Sequence, residues 1–252
     1  MKKMMMMNKV LVKSVCIFAF ICMTTASAKS QHQILVFSAT KAFRHASIPA
    51  GKIALLEIGA NNHWIVDTTE DPSVFTKKGL RKYKAIVFLS ATGNIFNDEQ
   101  KEALQHYIRK GGGYVGIHAA TDTEYDWPWY NDLVGAYFKN HPKPQSLKYD
   151  VIDKNFPATS FMPDTIRRFE EIYNFNFFKK EAVHVLITAD EKTYTGGTMK
   201  DFHPAVWYHE FEGGRVFYTA WGHLPESFKE PIFLQQLTEA LKWAMHEKEI
   251  NF

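Results

Sequence analysis

The stretch Gly111–Thr123, GGGYVGIHAATDT, leads from a glycine run through a short apolar strand to a turn of small residues, with His118 at the bend. In many α/β enzymes a turn of this kind displays a serine or cysteine nucleophile two residues after a glycine. Here the residue two after Gly116 is His118, and an imidazole in that place can act as a general acid or base near neutral pH. No neighbouring pattern marks a covalent mechanism. The loop that follows, HAATDTEYDWPWY, adds Thr121, Asp122, Glu124 and Asp126, interleaved with Tyr125, Trp127, Trp129 and Tyr130. Carboxylates that accept hydroxyl protons beside rings that stack on apolar faces suit a sugar ligand; the same rings would equally pack the loop onto the domain.

Further function-capable groups follow other apolar runs. SATKAFRHAS offers Arg44 and His45, and SATGNIF offers Thr92. His141 in KNHPKP, His203 in DFHPAVWYHEF and His223 in WGHLPESF each lie in or beside a turn. The tract FEEIYNFNFF gathers Glu170, Glu171, Tyr173 and Asn174, and strand alternation puts Glu171 and Tyr173 on one face. His63, His106 and His246 read as surface residues. No H-E-x-x-H or other close ligand pair is present, so the expectation is no cofactor and no metal. A metal would need residues distant in the chain, such as His118 with Glu124 or His45 with His203, to meet in space.

The elements that must position these groups read as α/β. Gln33–Ser38, Trp64–Thr69, Ala85–Ser90 and Tyr114–His118 are strands, apolar throughout as in a parallel sheet buried on both faces. Between them fall a helix capped by Ser47 with Ile53, Leu56 and Ala60 on one face, and a short helix at Lys77–Lys82. A third helix has an Asn97/Gln100 capping box and an inward face of Ala103, Leu104, Tyr107 and Ile108. The first half is therefore an open, doubly wound sheet. The second half is expected to add strands near Lys148–Ile152, Arg168–Tyr173, His184–Thr188, Ala205–Phe211 and Arg215–Thr219, with EGG as the last hairpin turn. A final helix runs from about Pro231 to Lys248, with Phe233, Leu237, Leu241 and Ala244 on one side. Ligands of such a sheet bind beyond the carboxyl ends of its strands, where the loops above lie.

Composition sets the setting. Residues 1–28 carry Lys2, Lys3, Lys9 and Lys13, an apolar run Val15–Met23 and the small residues Ala26-Ser27-Ala28, which is the pattern of a secretory signal peptide. The run is too short to span a bilayer, and neither Cys16 nor Cys22 follows the small residue a lipid anchor requires. Cleavage after Ala28 would leave a single domain, residues 29–252, with no cysteine, and so no disulfide or thiolate chemistry. It would also leave 26 basic and 27 acidic residues of the 30 and 27 in the full chain, with no basic cluster for nucleic acid. The expectation is an exported, periplasmic protein with no membrane anchor after cleavage and a small-molecule partner.

FRHASI, GGGYVGIHAATDTEYDWPWYNDLVGAYFKNHP, YNF, FHPAVWYHEFEGGRVFYT and GHLPESF together resemble the ThuA-like, or trehalose-utilisation, family over about Gln33–Trp243. The resemblance implies a flavodoxin-like, three-layer α/β/α fold similar to class I glutamine amidotransferases, mainly parallel. It also implies that the catalytic cysteine of those enzymes is replaced by His118, which removes glutamine amide transfer. Two segments depart from the usual family forms: Glu170-Glu171-Ile172-Tyr173-Asn174-Phe175 lacks the family tryptophan, and Tyr218-Thr219-Ala220-Trp221-Gly222-His223 replaces YTGLGH. What the resemblance implies for function is the handling of trehalose-like or 3-keto-glycoside sugars. On that footing His118 is the acid/base, Asp122 or Glu171 orients it, and Arg44, His45 and His203 stabilise an enolate oxygen. Thr92, Thr121, Glu124, Trp127, His141, Tyr173, Asn174 and His223 bind substrate. The reaction would be an isomerisation, elimination or hydrolysis. A non-catalytic sugar-binding protein and a metal-dependent hydrolase are the alternatives.

Overall fold

The computed structural model describes residues 31–250. The signal-peptide reading of residues 1–28 lies outside them. Among the described residues, no helix is long and apolar enough to cross a membrane.

Five parallel strands make the half of the sheet that carries the crevice. They are β1 (Gln33–Phe37), β2 (Ile65–Thr69), β3 (Ala85–Leu89), β4 (Gly113–Ile117) and β11 (Gly214–Thr219), in the spatial order β2-β1-β3-β4-β11. Strands β1, β3, β4 and β11 have almost wholly buried residues, because helices cover both faces of the sheet. Those helices are α1 (Ile48–Asn61), α2 (Lys77–Leu80), α3 (Asp98–Arg109) and, near the carboxyl terminus, α5 (Pro231–Ala244). The Asn97/Gln100 capping box forms at the start of α3, and its expected inward face is buried. The chain leaves β1 toward β2 on one side and toward β3 on the other, so the order reverses beside β1 and opens a crevice at the carboxyl ends.

The remaining strands extend the same sheet in antiparallel fashion. From β11 the order continues through β10 (His203–Phe211), β9 (His184–Ala189), β6 (Gln145–Val151) and β7 (Thr165–Glu170). In a flat sheet β7 would lie about 19 Å from β11. Yet Glu170, at the end of β7, accepts hydrogen bonds from the backbone N–H of His223 at 3.1 Å and Gly222 at 3.3 Å, just beyond β11. The antiparallel half therefore coils back on itself, helped by register shifts in β10 between Pro204 and Trp207. Arg168 fills the interior of the coil, with its guanidinium 4.3 Å from the Trp221 ring and paired to Glu230.

Several expectations change. The apolar run predicts that Trp64–Thr69 is buried on both faces, but β2 is an edge strand with no fully buried residue. The inward face of α1 is Ile48, Gly51, Ala54, Leu55 and Ile58; Ile53 and Leu56 point outward. Apolar residues fall on every side of the helix, so periodicity could not choose its face, and Gly51 marks the buried one by meeting Leu89 and Phe228 closely. Ser47 precedes α1 but its side chain makes no capping bond. The final helix ends at Ala244, short of Lys248. The strand expected through Tyr173 stops at Glu170, and Asn174–Asn176 is a separate strand, β8, paired with β5 (Tyr137–Asn140). Between β4 and β5 lies α4 (Pro128–Val134), with Gly135 at φ 93° closing it.

Candidate active site

Four chain segments meet at the carboxyl ends of the strands. His45 comes from the loop after β1, His118 from the turn after β4, Glu171 from the end of β7 and His223 from the loop after β11. One nitrogen or oxygen from each lies within 4.8 Å of the others. His118 has φ 50°, a left-handed conformation that strains a side chain with a Cβ. The elbow thus keeps the bent backbone of a nucleophile turn, and Tyr218 braces it by donating its hydroxyl proton to the His118 carbonyl at 2.8 Å. The ring itself is wholly buried, and Nδ1 lies 2.9 Å from the Ala220 carbonyl. A carbonyl only accepts, so Nδ1 carries a proton, and Nε2 is the nitrogen turned to the cluster.

Glu171 is the centre of the cluster. Its Oε2 lies 3.1 Å from His223 Nδ1 and 3.3 Å from His118 Nε2, and its Oε1 lies 2.9 Å from His141 Nδ1. Burial would raise this carboxyl, but the close approach of the His118 and His223 imidazoles outweighs burial and holds it below the usual carboxylate range. His45 is held neutral: burial, then repulsion by His118 and His223, push its imidazole down to about 3. The three rings stand edge to face, with centroids 4.7 Å apart for His45 and His118, 5.2 Å for His118 and His223, and 5.5 Å for His45 and His223.

Above this floor is a pocket of about 280 Å³ lined by Phe43, His45, Asp122, Phe138, His141, Glu171, Tyr173 and His223. Phe43, Phe138 and Tyr173 give it aromatic walls. The Tyr173 hydroxyl lies 3.3 Å from His45 Nε2. Asp122 receives a 2.6 Å hydrogen bond from Tyr125, and burial nonetheless raises its carboxyl above the ordinary value. A larger cavity of about 380 Å³, lined by Lys77, Tyr83, His106, Tyr107 and Gly112, lies at the amino ends of β3 and β4, away from the crevice.

The structure separates the residues expected at the site. His45, Asp122, His141, Glu171, Tyr173 and His223 line the pocket, and His118 lies beneath it. The others do structural work nearby. Arg44 leans outward and makes two 2.9 Å hydrogen bonds to Glu70. Thr92 donates to the Phe43 carbonyl at 2.9 Å, tying the His45 loop to the end of β3. Thr121 meets the Tyr218 hydroxyl at 3.3 Å inside the elbow. Glu124 is buried and accepts from the N–H groups of Ile95 and Phe96. Trp127 is packed between Trp129 and Tyr130. Asn174 pins two loops, donating to Asn140 at 2.7 Å and accepting from Thr198 N–H at 2.8 Å. His203 is locked between Tyr173 O and Glu191, and the expected His45–His203 pairing does not form; His45 meets His118 and His223 instead. Phe43 and Phe138 are the pocket residues that the sequence does not mark, since a lone phenylalanine carries no chemical signal.

A parallel crevice, a strained elbow after β4 and a histidine in the nucleophile's place define a flavodoxin-like, glutamine-amidotransferase-like protein without the amidotransferase thiol. The chain belongs to the ThuA, trehalose utilisation, family, whose sequence model matches residues 33–244. Among solved structures it is similar to a ThuA-like protein from Bacteroides uniformis, with TM-score 0.73 and 22% identity over 87% of this chain and 94% of that one. A ThuA-like protein from Parabacteroides merdae gives TM-score 0.71 and 19% identity over 86% and 91%. A β-galactosidase from Bacillus circulans shares the fold over 32% of its own length, with 90% of this chain covered, TM-score 0.56 and 13% identity. No curated protein matches the chain.

Proposed function

We propose that the chain is an exported carbohydrate-processing enzyme that moves protons on trehalose-like or 3-keto-glycoside sugars, in a bacterial periplasm. The family's association with trehalose use and the leader-like residues 1–28 support the substrate class and the location. The observation that carries the chemistry is the placing of Asp122, raised by burial, across one aromatic-walled pocket from the His45–His118–Glu171–His223 floor. A ketone at sugar C3 acidifies the C2–H bond. Asp122 takes that proton, and the electron pair moves into an enolate whose oxygen rests against the floor. Collapse of the enolate then forms C1=C2 and breaks the C1–O bond, and His141, the most exposed imidazole of the pocket, gives the departing oxygen its proton. Reprotonation at C2 instead gives exchange or epimerisation. His118, first choice for proton transfer on sequence grounds, lies beneath the pocket with Nε2 3.3 Å from Glu171, and serves to position that carboxylate.

The test is NMR in D2O with 3-keto and ordinary disaccharides. Deuterium should enter beside the carbonyl, or the glycosidic signal should disappear, and Asp122→Asn should slow this by at least about a hundredfold. Binding without exchange or turnover would make the protein a sugar receptor and end the enzymatic reading.

A further inference from the structure

The geometry points to a first-row divalent cation of the zinc class, held by His45, His118, Glu171 and His223 at the floor of the pocket. This deepens the reading above and rests on the same pocket, not on the identity of the sugar.

Three observations converge. The first is spacing. Ligands about 2.1 Å from a tetrahedral zinc sit about 3.4 Å apart, and about 3.0 Å apart around an octahedral ion. The separations of 3.3 Å from His118 Nε2 and 3.1 Å from His223 Nδ1 to Glu171 Oε2 fall in that range, and the four ligand atoms together lie within 4.8 Å, so closing on an ion needs only a small inward shift of the others. The second is the lack of partners. His118 Nε2, His223 Nδ1 and His45 Nδ1 are buried with no hydrogen-bond partner, even though two of them are close to a carboxylate oxygen. Buried nitrogens left without a hydrogen-bond partner, gathered within 4.8 Å with a carboxylate, call for a ligand that the protein does not supply.

The third is the surrounding support. His118 Nδ1 is anchored on the Ala220 carbonyl at 2.9 Å, His45 Nε2 lies 3.3 Å from the Tyr173 hydroxyl, and Glu171 Oε1 is held by His141 at 2.9 Å. This is how outer partners fix the ring and carboxylate orientations of metal ligands. Three nitrogen donors with one carboxylate select zinc and its neighbours over magnesium or calcium. The pocket opens directly above, so the remaining coordination positions face the place where the sugar's carbonyl and adjoining hydroxyl oxygens would lie. A cation there would polarise the carbonyl that the proposed proton transfer requires.

The experiment is metal titration of chelator-stripped protein with Zn2+ and Co2+, read by elemental analysis, calorimetry and the visible absorption of Co2+. One equivalent per chain is expected, with an imidazole-type Co2+ spectrum and a melting temperature raised by Zn2+. Affinity should fall by about a hundredfold or more in His118→Ala and in Glu171→Gln. His223→Ala, at a partly exposed position, gives the same test should the deeper variants not fold. Wild-type protein that takes up no more metal than His223→Ala would overturn the proposal. The two readings fail separately: deuterium exchange in metal-free protein would remove the cation from the chemistry, whereas stoichiometric metal without exchange would leave the site and remove the reaction.

Discussion

Glu124 and Glu171 are both buried carboxylates, held in opposite ways. Glu124 Oε1 accepts from two backbone N–H groups of the 95–96 segment, and its Oε2 lies 3.4 Å from Lys101. Glu171 faces imidazole nitrogens. The sequence presents each as one acid among aromatics, and nothing local distinguishes them. Glu124→Ala should therefore cost about 2 kcal/mol or more of stability, because two buried amides lose their acceptor. Urea unfolding checks this, and unchanged stability would show that water replaces the carboxylate. Trp127 divides the same way. As a packed ring between Trp129 and Tyr130, its replacement by alanine should cost about 3–5 kcal/mol while sugar affinity, measured well below the melting temperature, stays the same. Loss of binding at unchanged stability would return Trp127 to the site.

At the scale of elements, close backbone approach decides what pattern cannot. Gly113 opens β4, and a Cβ there would fall on the carbonyl of Ala244 at the end of α5. At Gly51 the obstacles are the tips of Leu89 and Phe228, which can shift. Gly113→Ala should thus destabilise more than Gly51→Ala, whose overpacking is partly offset by about 1 kcal/mol of helix propensity. Thermal melts of the two variants test the order, and the reverse order would mean that α5 slides freely on the sheet. These contacts also show what was legible. β1, β3 and β4 could be read because runs buried on both faces are apolar throughout, β11 because the EGG turn pairs it with β10, and α3 because Asn97 and Gln100 cap it reciprocally. The face of α1 could not, and β5 and β8 are too short to show a period. For the site, the rule of carboxyl ends found His45, His118 and Asp122. The meeting of Glu171 with them depends on the coiling of β7 back to β11, which no local pattern records.

The whole molecule joins two kinds of sheet, and its response to acid depends on histidines buried where they meet. His209, on β10, is 3% exposed, and its Nε2 donates to the Asp132 carbonyl of α4 at 3.3 Å. Burial lowers this imidazole to about 4 from an ordinary 6.5, and burial also lowers His203 on the same strand. The unfolded chain therefore takes up these protons first as the pH falls. The His209 contribution to stability is complete above about pH 6.5, declines as the pH drops toward 4, and levels off once folded His209 is protonated too. The difference at His209 corresponds to about 3 kcal/mol. His209→Gln retains an amide donor for the Asp132 carbonyl without a titrating ring, so its unfolding free energy should fall less steeply between pH 6.5 and 4 than that of the wild type. Urea midpoints across that range, in chelator so that cation binding at the floor does not contribute, measure the difference. Parallel curves for the two proteins would mean that His209 opens to solvent before the chain unfolds, and that the β10–α4 contact is the first part of the antiparallel half to yield.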